Sequence, residues 1–178
     1  MYQGIRIAGF GGQGVISAGI LLAQAGVENK LNASWLPSYG PEMRGGTANC
    51  AVIISDEPVS SPIVSHPDVL IAMNLPSLDK YEKEVAPGGT IFYDTTLIGR
   101  EVSRTDVKVV KIPSTALAQG MGAPTLANMV MTGKLISECD AISADNIEDA
   151  LKKVVSARHA DLLEINFRAI RLGMEYKG

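Results

Sequence analysis

A chain of 178 residues with 46% apolar side chains is long enough to bury one core, so a single domain spanning 1–178 is expected. Charged residues make up 20%, the formal net charge is −3, and no run gathers five or six like charges, which argues against a nucleic-acid partner or a basic membrane surface. Cys50 and Cys139 have no second Cys or His at metal-ligand spacing, and a cluster takes about four thiolates, so this chain is not expected to build an iron–sulfur cluster alone.

The chain enters a strand-like pattern almost at once, Ile5-Arg6-Ile7-Ala8, without the basic and apolar regions of a signal peptide, and a cytoplasmic location is the expectation. The Gly-rich turn Gly9 to Gly14 follows, then a helical stretch to about Asn29. Its apolar run, Val15 to Val27, is broken by Ser17, Gly19, Gln24 and Gly26 and is too short to cross a bilayer. Ser34 to Pro37 reads as a second strand. Ser38 to Gly46, with three glycines and a proline, reads as a structured loop. Thr47 to Ser55 suits a buried strand, and Val59 to Val64 an edge strand, because Pro62 cannot donate to a ladder.

Asp68 to Met73 is a stronger strand, followed by a short helix from Pro76 to Tyr81. Strands are expected at Thr90 to Asp94 and Val107 to Ile112, with a helix after Pro113. Further helices are expected over Pro124 to Glu138, after an N-cap at Ser143, and from about Ala160 to Tyr176. The pattern predicts a three-layer α/β/α domain: a mostly parallel sheet with a Rossmann-like first βα unit, helices on both faces and a helical C-terminal tail.

Two segments could carry chemistry. Gly9-Phe10-Gly11-Gly12-Gln13-Gly14 satisfies G-x-G-x-x-G, in which glycines allow a tight turn and let amides at a helix N-terminus approach an anion. A dinucleotide site also wants an acid at the end of the second strand, and Ser34 to Ser38 supplies none. Three readings stay open for the turn: an anion site, a dinucleotide site, and a turn that only packs helix on sheet. The loop Ser38 to Gly46 sets Tyr39, Glu42 and Arg44 among residues that force an unusual backbone. Arg44 could clamp a carboxylate or phosphate, or pair with Glu42. Both segments are expected at the carboxyl edge of the sheet, as neighbours.

Other residues offer little. His66 and His159 read as surface residues, Ser60-Ser61 has no positioned base, and Glu82 and Glu84 read as a solvated helix face. Each cysteine reads as a small buried hydrophobe.

The first segment, from Ile5 to Gly14, and the second, from Ser38 to Cys50, together resemble the gamma subunit of 2-oxoacid:ferredoxin oxidoreductases. Asp68 to Asn74 and Pro124 to Met129 agree, and the resemblance covers about residues 4 to 175. It looks closest to gamma chains of the 2-oxoglutarate, pyruvate and ketoisovalerate type. The resemblance implies a complex that uses thiamine diphosphate, Mg, iron–sulfur clusters and coenzyme A, with ferredoxin as acceptor. This chain has no G-D-G thiamine motif and no Cys-rich motif, so it is expected to bind none of these alone; alpha, beta or delta subunits would hold the redox centres. The resemblance also places Gly9, Gly11, Gly12, Gln13, Gly14, Tyr39, Arg44, Gly45 and Gly46 near the coenzyme A region. An isolated chain is expected to be inactive and open to self-association through surfaces meant for partners. The alternatives are a stand-alone nucleotide- or dinucleotide-binding module and a pure interaction scaffold.

Overall fold

The computed structural model describes residues 1–38, 47–155 and 159–178. Six strands form one sheet: β1 (Tyr2–Phe10), β2 (Asn32–Ser38), β3 (Thr47–Ser55), β4 (Val69–Ala72), β5 (Thr90–Asp94) and β6 (Lys108–Ile112), in the order β2-β3-β1-β4-β5-β6. Three of the five pairings are parallel: β1 with β4, β4 with β5, and β5 with β6. β3 runs antiparallel between β1 and β2, so the chain leaves β1, crosses to the sheet edge as β2, and turns back into the gap.

Alternation along the strands separates two apolar layers. Ile5, Ile7, Cys50, Val52, Ile54, Ile71, Phe92 and Ile112 face one side. They pack against α1 (Val15–Glu28), α3 (Ser114–Gly120), α4 (Ala127–Glu138), α5 (Ile147–Val154) and α6 (Ala160–Glu175). The other side carries Ala8, Leu70, Ala72, Ile91 and Tyr93 against the short α2 (Leu75–Tyr81) and irregular chain around Ile98 and Val102. Over β3 this second face has, among the described residues, a strap near Val59 and Val64 as its apolar cover.

The C-terminal helix is docked rather than trailing. α6 crosses α4 so closely that a Cβ on Gly133 would collide with the Ile170 carbonyl, and one on Gly173 with the Val130 carbonyl. Such backbone-to-backbone approach admits only glycine at those two positions.

Two expectations need correction. Val59 to Val64 is irregular and joins no ladder, since its contribution is apolar cover and the Val64 carbonyl accepts from Arg6 rather than from a neighbouring strand. Glu82 is buried at 5% exposure, not solvated; it opens a short 3-10 turn after α2 and receives hydrogen bonds from Arg100 and Ser103. The predicted helix at Pro124 starts as a 3-10 turn before α4, and Ser143 caps a 3-10 turn that leads into α5, its Oγ accepting from Asp145.

Candidate functional site at the carboxyl edge of the sheet

β1, β4, β5 and β6 all end on one edge. The end of β2, Ser38, pairs with Asn49, which in turn pairs with Ala8, and Thr47 pairs with Phe10, so Ser38 and Thr47 lie at the same edge as the Gly-rich turn. From β1 the chain crosses over one face through α1, and from β4 over the other through α2. The crevice between the ends of β1 and β4 is therefore the point where the connections diverge, the usual ligand position in an open α/β sheet.

Gln13 spans that crevice. Its Oε1 accepts from the Phe10 amide at 2.6 Å, and its Nε2 donates to the Met73 carbonyl at 3.1 Å, tying the ends of the two strands together. Asn74, just beyond β4, caps α2 by accepting from the Ser77 amide at 2.9 Å. Asn74 Nδ2 in turn donates to Gln13 Oε1 at 3.5 Å, so the two side-chain amides are engaged with backbone and with each other.

The glycines divide by what they allow. Gly9 is packed from all sides: a Cβ there would stand 2.7 Å from Gln13 Oε1 and 2.9 Å from Met73 Cβ. Gly14 adopts φ 71 and caps α1, with Asn128 pressed onto it; Asn128 Nδ2 donates to the Gly14 carbonyl at 3.0 Å. Gly12 has φ +92 and, among the described residues, nothing within 4 Å of a built Cβ, so the turn is open on that side with respect to them, and Gly11 is exposed. Beyond it, α1 has no capping side chain and no acid in its first turn. Amides at such a terminus favour an anion. Buried Asn128 Oδ1 is without a hydrogen-bond partner among the described residues and lies 3.3 Å from a Cβ built on Gly14. Sequence reasoning placed Asn128 in a matching segment without giving it a role; only the contact between α4 and the turn reveals it.

The second predicted group, Tyr39, Arg44, Gly45 and Gly46, lies outside the described residues. For a nicotinamide or flavin dinucleotide the geometry is poor: the strand beside β1 on the α1 side is antiparallel β3, and β2 ends without a carboxylate.

The donor set does not fit an iron–sulfur cluster. Burial pushes the Cys50 thiol up to about 12, its Sγ lying 3.5 Å from the Val15 carbonyl. Cys139 is half-buried, and burial raises its pKa as well. Among the described residues no group of three or more His, Cys, Asp or Glu could hold a metal ion, and no helix is long and apolar enough to cross a membrane.

The pyruvate ferredoxin/flavodoxin oxidoreductase family model matches residues 4–176. The chain belongs to this family. It is 40% identical over 173 residues to the ketoisovalerate oxidoreductase subunit VorA of Methanothermobacter thermautotrophicus, covering 97% of this chain but 36% of that protein. It is 39% identical over 155 residues to the 2-oxoglutarate synthase subunit KorC of Methanocaldococcus jannaschii, covering 85% of this chain and 82% of that one. The chain thus spans about a third of the VorA relative and most of KorC. Among solved structures, the gamma subunit of a keto/oxoacid ferredoxin oxidoreductase from Geobacter sulfurreducens superposes with a TM-score of 0.84 at 28% identity, covering 97% of this chain and 96% of that one. A 2-oxoglutarate:ferredoxin oxidoreductase from Magnetococcus marinus, with 2-oxoglutarate, coenzyme A and succinyl-CoA bound, gives 0.83 at 26% identity. That match covers 97% of this chain and 30% of the longer one.

Proposed function

We propose that the chain is the gamma subunit of a cytoplasmic, multi-subunit 2-oxoacid:ferredoxin oxidoreductase that converts a 2-oxoacid, 2-oxoglutarate first among candidates, to its acyl-CoA. Alpha, beta or delta partners would carry thiamine diphosphate, Mg and the iron–sulfur clusters and pass electrons to ferredoxin. The observation that supports the reading most is the open Gly12 turn before the uncapped N-terminus of α1, placed at the divergence of the sheet's connections in a chain of this family. The preference for 2-oxoglutarate rests on likeness to KorC and to the Magnetococcus enzyme.

Bound coenzyme A supplies the thiol that accepts the acyl group. This chain's part is to bind and orient: the Gly12 turn lets an anionic group approach, the first amides of α1 face it, and Asn128 offers an acceptor to a donor group of the ligand. Gln13 keeps β1 and β4 in register beneath it. Tyr39, Arg44, Gly45 and Gly46 are proposed for the same binding role on the family resemblance alone.

The test is the reconstituted complex with Gly12→Val, which fills the open side of the turn. The expected result is a rise in KM for coenzyme A of about tenfold or more, with KM for the 2-oxoacid unchanged. Unchanged coenzyme A kinetics in a correctly assembled variant would remove the turn from the site. The isolated chain is expected to oxidise no 2-oxoacid and to show no visible cluster absorbance.

A further inference from the structure

The thinly covered face of β2, β3 and β1 holds a charged group that the site above does not use. Arg6 projects from the middle of β1 onto this face, with only 16% of its side chain exposed. The guanidinium stacks over the Tyr81 ring at 4.9 Å, donates from one terminal nitrogen to Asn49 Oδ1 at 3.2 Å, and from the other to the Val64 carbonyl at 2.5 Å. Its Nε is enclosed without a hydrogen bond, and among the described residues the nearest carboxylate oxygen is Glu84 Oε2, 3.9 Å away. Among the described residues this half-buried cation thus has one long ion pair and no hydrogen bond to a carboxylate, which offsets its desolvation less than a close pair would.

Arg6 stands at the wall of a cavity of about 270 Å³, also lined by Ser38, Asn49, Ala51, Leu36 and Ile63. A guanidinium can only donate, so the Asn49 oxygen must face Arg6, which leaves the Asn49 amide nitrogen as a further donor. Ser38 adds a hydroxyl, and among the described residues no carboxylate lines the cavity. The polar groups thus suit an anion. The rim is apolar and exposed: Leu36 at 42% and Ile63 at 67%. The volume lies just below the range of about 300 to 1,000 Å³ usual for small-molecule sites and suits one or two side chains better.

We propose that this face is a protein interface, resting on the subunit reading above, and that the Arg6 cavity receives an acidic side chain of a partner subunit of the oxidoreductase. The flanking residues of that partner cover Leu36 and Ile63. Charge complementarity selects the occupant: a half-buried cation, whose one ion pair among the described residues is long and leaves Nε without a hydrogen bond, lies beside an apolar rim, the arrangement that concentrates binding energy at an interface.

The experiment measures the dissociation constant between this chain and its co-expressed thiamine- and cluster-binding subunits, together with the thermal midpoint of the isolated chain. Arg6→Gln is expected to weaken assembly by about 30-fold or more, with Arg6→Lys intermediate. Ile63→Glu, at an exposed position, is expected to weaken assembly by about tenfold or more while leaving the midpoint unchanged. Wild-type affinity in both Arg6→Gln and Ile63→Glu overturns the proposal. So does a lowered midpoint for Arg6→Gln with normal assembly of Ile63→Glu, which would make Arg6 only a tie for the strap. Saturable binding of inorganic phosphate by the isolated wild-type chain, lost in Arg6→Gln while that variant assembles normally, would also overturn it in favour of a small anion. If the wild-type chain does not assemble at all, the subunit reading itself fails; if it assembles and the variants match it, only the interface is lost.

Discussion

The two faces of the sheet are held by different physics. On the α1 side five helices press continuous apolar layers together, and polar pairs such as Lys153 with Glu28 lie at the surface. On the α2 side the cover is short and irregular, and charges fasten it. Arg100 reaches Asp79 and Glu82 at 2.7 Å, Ser103 Oγ donates to Glu82 at 2.7 Å, and Arg104 reaches the carbonyls of Glu82 and Val85. A face built by packing is finished within its own chain. The face fastened by charges leaves Arg6 with only the long pair to Glu84 among the described residues, and that is where a partner has most to add.

Substitutions can break this contrast. The largest effect is expected at the α4 and α6 crossing: Gly133→Leu should cost about 3 kcal/mol or more in urea unfolding, because neither backbone can retreat without opening the helical layer. On the other face, burial raises the Glu82 carboxyl, but hydrogen bonds from Ser103 and Arg100 outweigh it and leave the pKa lowered. A lowered folded value contributes stability above the unfolded carboxylate range, and that stability is lost as pH falls through the folded value. Glu82→Gln should therefore cost about 1.5 to 3 kcal/mol at neutral pH, and the gap from wild type should narrow on acidification. A gap independent of pH would show that the network does not act through charge.

At the seam where the two sets of connections diverge, Gln13→Leu leaves the Phe10 amide and Met73 carbonyl without their partner and should cost about 1 to 2 kcal/mol. The smallest effect is expected on the helical face, where Lys153→Ala removes an exposed pair and should leave the urea midpoint unchanged.

Much of this architecture was legible in the sequence. Alternating apolar runs located β1, β3, β4, β5 and β6 because each is buried on at least one face, and helical spacing with Ser143 as cap located α5. The insertion of β3 between β1 and β2 was not legible, because its nine residues pair equally well in either direction and the choice rests on neighbours distant in sequence. Val59 to Val64 carries strand-like residues, yet its backbone is drawn to Arg6 rather than to a ladder. Glu82 looked solvated because the arginine that buries it lies 18 residues on. Of the candidate site, the Gly turn was read from its motif, and the structure distinguishes packed Gly9 from open Gly12, a difference spacing alone does not carry. Asn128 gained its place only through its contact with Gly14, while Gln13, already named from the motif, shows its tie to the end of β4 only through Met73.

The most direct test of the account is reconstitution of the complex with and without this chain, followed by 2-oxoacid oxidation as coenzyme A is titrated. The account predicts that the remaining subunits keep their cluster absorbance but lose coenzyme A-dependent turnover until the wild-type chain is added back. Full coenzyme A-dependent turnover in its absence, or stoichiometric cluster binding by the isolated chain, would contradict it.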